Sequence, residues 1–179
     1  MNGTADSRDT ADFVTGGSGV GVLMRGHDWS RTPLGTAAAW PQSLMTLVGV
    51  MLGSSQPMFV VWGPQRTLLY NDAYAAVLGA KHPAALGRPF LEVWHEIRDD
   101  LMPIVEQAYA GRPVHQDNIA LVMQRNGYPE EAHFAFSYTP VRGVDGRVEV
   151  CSASAPKRLP RCRPNTARRP SASGCAYSS

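Results

Sequence analysis

The spacing of apolar positions changes character along the chain, and the changes mark its elements. From Trp40 to Gly53, Leu44, Leu47, Val48, Met51 and Leu52 recur at helical spacing, which predicts a helix over about 41–53 with Pro41 in a favourable first position. Gly53-Ser54-Ser55 stops it. Pro57 to Trp62 then reads as a short buried strand, Gly63 to Arg66 as a turn, and Thr67 to Tyr70 as the second strand of a hairpin. Asn71 and Asp72 are both good helix N-caps, and the two-turn helix they open ends at Gly79. A single turn over His82 to Gly87 and a helix over Pro89 to Ile97 follow. Asp99 or Asp100 can cap a longer helix in which Leu101, Ile104, Val105 and Ala108 share one face before Gly111 ends it.

After Gly111 the pattern alternates. Residues 114 to 124 predict a strand, Asn126-Gly127 a turn, and Ala132, Phe134, Phe136 and Tyr138 alternate with His133, Ala135, Ser137 and Thr139. That is a strand with one aromatic face. Val144-Asp145-Gly146 is a further turn, and Arg147 to about Val150 starts one more strand. Strands grouped at both ends of a helical middle predict an α+β domain: a single antiparallel sheet of about five strands, short helices on one face, and an amphipathic helix ahead of it. An apolar pocket between that sheet and the longer helix is geometrically natural.

Composition alters the picture mainly at the two ends. All 15 acidic and 11 of the 17 basic residues lie in the first 150, a net of −4, whereas the last 29 residues hold the other six basic residues and no acid. Cys151, Cys162 and Cys175 all fall in that last stretch, with Pro156, Pro160, Pro164 and Pro170. The cysteine-free body therefore offers no disulfide framework, zinc-thiolate site or thiol nucleophile, and the cytoplasm is the expected setting. The charge of the body gives no reason to expect nucleic acid, and the longest apolar stretch, Leu44 to Leu52, falls short of a membrane span. Residues 1–26 read as a disordered leader, and their Gly16 to Gly21 run as a flexible linker, since it lacks a preceding strand and a Walker lysine. Residues 27–54 read as lead-in and flanking helix, 55–150 as the domain, and 151–179 as a disordered basic tail. The tail's Arg-Pro-Ser-Ala-Cys composition resembles coding DNA read out of frame from near Glu149 to Cys151, the alternative being a genuine tail for an acidic surface or RNA.

Leu68-Leu69-Tyr70-Asn71-Asp72-Ala73-Tyr74, then Leu78-Gly79, then Leu86-Gly87-Arg88-Pro89-Phe90, form an ordered set that resembles a PAS domain over roughly residues 55 to 150. Upstream, Asp28-Trp29-Ser30, Thr32-Pro33-Leu34-Gly35 and Trp40-Pro41 resemble the lead-in to the first PAS domain of some bacterial sensor histidine kinases. The resemblance implies a non-enzymatic sensor that binds a small molecule or dimerises through the flanking helix or sheet. It also implies a kinase output domain in a longer parent, because this chain has no room for one. Asn71 would be a structural cap. The body lacks the reactive cysteine of light-sensing flavin domains, so no cofactor is predicted, although haem or non-covalent flavin stays open. His95 lies near the region where haem-binding members place a ligand, but the plainer reading is a surface histidine beside Glu96.

The candidate pocket residues are Trp62, Tyr70, Phe90, Trp94, Phe134, Phe136 and Tyr138. The five histidines lack the spacing of a metal site on one helix face, so no metal is expected. The alternative function is a small α+β enzyme with a cone-shaped pocket and His133 or His95 as base. Ser137 shares a sheet face with His133, but no third orienting group is evident.

Overall fold

The computed structural model describes residues 19–143 and 146–157, with side chains defined as far as Glu149. Its elements are α1 (Gly19–Gly26), α2 (Gln42–Gly53), β1 (Met58–Trp62), β2 (Thr67–Tyr70), α3 (Asp72–Leu78), α4 (Phe90–Val93), α5 (Arg98–Tyr109), β3 (Val114–Met123), β4 (Glu130–Arg142) and β5 (Val148–Lys157). Single 3₁₀ turns at Trp29–Arg31, Ala37–Ala39, Gly79–Lys81 and His95–Ile97 fill the connections. The strands form one antiparallel sheet in the order β2-β1-β5-β4-β3. The α+β class and the single sheet are as the pattern predicts. Among the described residues no helix is long and apolar enough to cross a membrane.

Pairing register assigns each strand residue to a face. Phe59 stands opposite Tyr70 on one side and Ser152 on the other, and Ser152 opposite Tyr138, so Phe59, Tyr70 and Tyr138 point to the same side. That side is the inner face, covered by α3, α4 and α5. Val60 and Leu69 point the other way and are fully buried where α2 packs across β1 and β2 through Leu44, Val48 and Met51. The core therefore has two layers, one on each side of the hairpin. Farther along, the outward face of β3 and β4 is open, with Val122 54% exposed.

Two expectations at the ends need correction. The leader does not remain featureless to residue 26: α1 forms over Gly19–Gly26, Val20 and Met24 are buried, and the Val20 N–H donates to the Asp72 carboxylate at 2.9 Å. Eight residues are too few to show a period or to hold a helix alone, so docking against α3 provides its stability. The last strand does not stop near Val150. It continues to Lys157, paired with β4 throughout and with β1 over 150–153. Its pairing explains why the apolar pattern failed to reveal it: backbone hydrogen bonding to β4 along its length, and to β1 as far as Ala153, can hold Ser- and Ala-rich sequence in a sheet. Residues 158–179, which include most of the proposed basic tail, lie outside the described residues, as do 1–18.

Gly79 shows why the α3 stop is a glycine. Its φ is +58°, and a Cβ there would lie 2.6 Å from Asn126 Oδ1 and 3.2 Å from the Arg125 carbonyl. The Ala80 N–H donates to that same carbonyl at 3.0 Å, so the β3–β4 turn seats directly on the end of α3.

Candidate functional site

The inner face of the sheet and the helices enclose a cavity of about 40 Å³. Phe59 from β1, Leu121 and Met123 from β3, and Phe134, Phe136 and Tyr138 from β4 form its floor. Tyr74 and Val77 of α3, Phe90 of α4, Trp94, Ile97 and Leu101 form the roof. The rings largely fill one another's space. Phe59 is central: it stacks on Phe90 with centroids 5.1 Å apart, tilts against Tyr74 at 4.9 Å, and meets Tyr138 edge-on at 5.6 Å. Phe136 lies 4.7 Å from Tyr138.

Polar chemistry inside is sparse. The Trp94 indole N–H donates to the Tyr74 hydroxyl at 3.1 Å. Burial pushes the Tyr74 phenol well above its ordinary pKa against a smaller opposing effect of that hydrogen bond, and burial also raises Tyr138, so both are neutral donors. At the rim, Lys81 Nζ lies 2.9 Å from Glu96 Oε2, donates to the Val93 carbonyl at 2.6 Å, and sits 5.0 Å from the Trp94 ring centroid. Glu96 Oε1 accepts the Gln124 N–H at 3.0 Å. Burial would raise the Glu96 carboxyl, but the hydrogen bonds from Gln124 and Lys81 outweigh it and hold the group below the usual carboxylate range. This cluster ties the helical middle to the end of β3.

Asn71 organises the opposite rim. Its Oδ1 accepts the Tyr74 N–H at 3.0 Å, capping α3, and the Met58 N–H at 3.0 Å. Its Nδ2 donates to the carbonyls of Met51 at 3.1 Å, Ser54 at 3.1 Å and Gln56 at 2.7 Å. One buried side chain thus joins the end of α2, the start of β1 and the start of α3.

Of the seven candidate residues, Phe90, Trp94, Phe134, Phe136 and Tyr138 line this cavity; Trp62 and Tyr70 do not. Trp62 is three residues from Phe59 on a strand and so points to the other face, where it borders a separate cavity of about 260 Å³. Tyr70 is on the inner face, but its hydroxyl reaches past the wall to His82 Nδ1 at 2.9 Å. Phe59 and Tyr74 are the aromatic residues missed, and Val77, Ile97, Leu101, Leu121 and Met123 complete the wall. Strict alternation along β1 puts Trp62 with Val60 and Met58 and sets Phe59 on the opposite face.

Neither proposed base belongs to the cavity. The His95 side chain is 72% exposed, and His133 points outward, its Nδ1 3.0 Å from Asn118 Oδ1. Ser137 does share the outward face with His133, but its hydrogen-bond partner is His115, at 2.8 Å, whose other ring nitrogen lies 2.9 Å from Asp117. These three groups stand on the exposed side of the sheet, away from the cavity, so they do not make the pocketed enzyme of the alternative reading. Among the described residues no three His, Cys, Asp or Glu side chains converge to hold a metal.

Haem and flavin do not fit the cavity as it is packed. A void of about 40 Å³ takes about three waters on the scale where one needs roughly 10–15 Å³, and the wall residues include no histidine to ligate iron.

No curated protein matches the chain. Among solved structures it is similar to the PAS domain of BvgS from Bordetella pertussis, at 15% identity and a TM-score of 0.52 over 65% of this chain and 88% of that one. It is also similar to a LOV protein of Rhodobacter sphaeroides, at 16% identity and a TM-score of 0.50 over 64% of this chain and 66% of that one. At such identities the likeness concerns the fold. The family model described as the PAS fold matches residues 52–155, more than half of the chain. That match spans β1 through most of β5, every wall of the inner cavity and the Asn71 junction, and on it the chain belongs to the PAS fold family of sensory domains.

Proposed function

We propose that this PAS sensor domain is a non-enzymatic, cytoplasmic module of a longer signalling protein, and that its inner cavity receives a compact apolar ligand. The observation that carries the reading is the cavity's wall, which is almost wholly aromatic and aliphatic, with neutral phenols and an indole as its polar groups. Such a wall favours a small uncharged molecule. The void leaves room for few atoms, so a larger ligand must part the rings around Phe59. Displacing Phe90 or Tyr74 would move α4 or α3 relative to the sheet, which is a direct way to pass occupancy to an output domain.

A kinase as that output domain is supported by the lead-in motifs from Asp28 to Pro41. Homodimerisation through the flanking helix or the sheet is supported by Val50 on α2, 58% exposed, and by the open outward face around Val122. Mass spectrometry under native conditions, a thermal-shift screen of compact apolar molecules and sedimentation at high concentration test these readings together. A co-purified small molecule or a saturable shift, and a dimer, are expected. A strict monomer that carries and binds nothing overturns both proposed activities.

A further inference from the structure

The wall of the inner cavity carries two phenol protons that the protein leaves without an acceptor. Tyr138 comes from β4 in the floor and Tyr74 from α3 in the roof, and each is only 4% exposed. Among the described residues the Tyr138 hydroxyl has no hydrogen-bond partner; what holds the side chain is ring packing, against Phe59 at 5.6 Å, Phe90 at 6.5 Å and Phe136 at 4.7 Å. Ser43 and Thr67 are the described residues whose unpaired hydroxyls are sealed off, so the Tyr138 oxygen still meets open space, and for a residue in this wall that space is the cavity.

Tyr74 is half satisfied. Its oxygen accepts the Trp94 N–H at 3.1 Å, and among the described residues its own proton has no acceptor. Accepting from the indole polarises that O–H and makes it a better donor. Burial, and after it the field of the nearby Tyr74 hydroxyl, raises the Tyr138 phenol, so the two groups face the same space as neutral donors.

These donors decide which group a ligand should carry. A buried donor without an acceptor is unfavourable, and a ligand that supplies one relieves it. A hydrocarbon would leave both protons unpaired. A carboxylate would bring a full charge to a wall without a cation, since Lys81 at the rim is already paired with Glu96 at 2.9 Å. A group with its own proton would add a donor where donors are already in excess. A carbonyl oxygen brings two lone pairs and no proton, one acceptor site for each phenol. Resting on the core-ligand reading above, we propose that the inner cavity selects a compact uncharged carbonyl compound, its oxygen held between Tyr138 of the floor and Tyr74 of the roof. That oxygen would also tie β4 to α3, joining the two layers whose relative movement reports occupancy.

Cyclobutanone and methylenecyclobutane share a shape and differ in carrying C=O or C=CH₂, and titration of the full chain followed by NMR gives the affinity of each. The ketone is expected to bind about tenfold tighter, the gain from two hydrogen bonds to otherwise unpaired donors. Its carbonyl stretch, which lies clear of the protein amide bands, should fall in frequency on binding. Tyr138→Phe and Tyr74→Phe should each cut the preference about threefold and lessen that fall. Tyr138→Phe removes no internal hydrogen bond, so without ligand it should melt no lower than the parent; a clear drop would show that the hydroxyl has a partner in the protein and would overturn the proposal. Equal binding of the two probes, or a preference that survives both substitutions, would also overturn it while leaving the core-ligand reading standing. Binding of neither probe would overturn both.

Discussion

The two cavities differ more than sixfold in volume, and the difference follows from the residues that close them. Around the inner one, walls come from helices and strands whose side chains are long and rotatable: Leu101, Met123, Phe90 and Phe136 can turn toward any gap until the space is used. Around the outer one, half of the lining, Pro33, Pro41, Pro64, Gly63 and Gly143, carries rigid rings or no side chain. These residues cannot reach across a void. Occupying the inner cavity therefore means displacing side chains and losing packing, whereas occupying the outer one needs little displacement.

The largest expected effect comes from opening the inner cavity on purpose. Trp94 is 1% exposed and hydrogen-bonded to Tyr74, so Trp94→Ala should cost about 3–5 kcal/mol in urea unfolding, as large aromatic truncations do. Adding indole should recover part of that loss if the inner walls hold their positions. No recovery would mean that the walls collapse into the space, and the contrast between adaptable and rigid walls would then be sharper still.

A second variant attacks the joint between the two regions. Asn71→Ala removes both the α3 cap and the three donations to the chain around Met51 to Gln56, leaving buried carbonyls and N–H groups without partners. A loss of about 3 kcal/mol is expected, since each abandoned buried group costs roughly 1–3 kcal/mol before relaxation and solvent entry reduce the sum. Unfolding monitored by circular dichroism and by tryptophan fluorescence would show whether the lead-in, with Trp29 and Trp40, separates before the sheet melts. Coincident transitions would show that the two layers remain one cooperative unit without the asparagine.

The same residues show how far the sequence was legible. Asn71 at a strand-to-helix junction could be read as a cap because only the local chain is involved; its three long-range acceptors could not, since they lie 15 to 20 residues upstream. The aromatic face of β4 was legible through alternation, and five of seven pocket candidates do line the cavity. Trp62 stands outside it because parity along β1 turns it away from the face of Phe59, and Tyr70 because parity alone does not say how far along the sheet a ring lies. The helix α1 and the second half of β5 left little trace in hydrophobic pattern. The first is held by docking on α3, the second by its pairing with β4, and both are tertiary effects.

The smallest expected effect concerns acid, and it orders the two regions. His27, in the lead-in, packs on Trp29 with ring centroids 4.4 Å apart; burial lowers its pKa from 6.5, and the opposing field of Asp28 does not restore it. The folded chain therefore resists protonating His27, so below pH 6.5 the unfolded state takes up the proton first and stability falls with pH. Glu96, at the inner rim, has its pKa lowered from 4.5 in the fold, so its contribution is complete above that value and is lost as pH drops through the folded pKa. Acid should thus loosen the lead-in first and the helical middle later. Melting temperature followed from pH 8 to pH 3 should show two successive declines, the first abolished by His27→Gln and the second reduced by Glu96→Gln. A single decline unaffected by His27→Gln would mean that the lead-in does not respond to acid through His27, and the two layers would then differ in packing but not in titration.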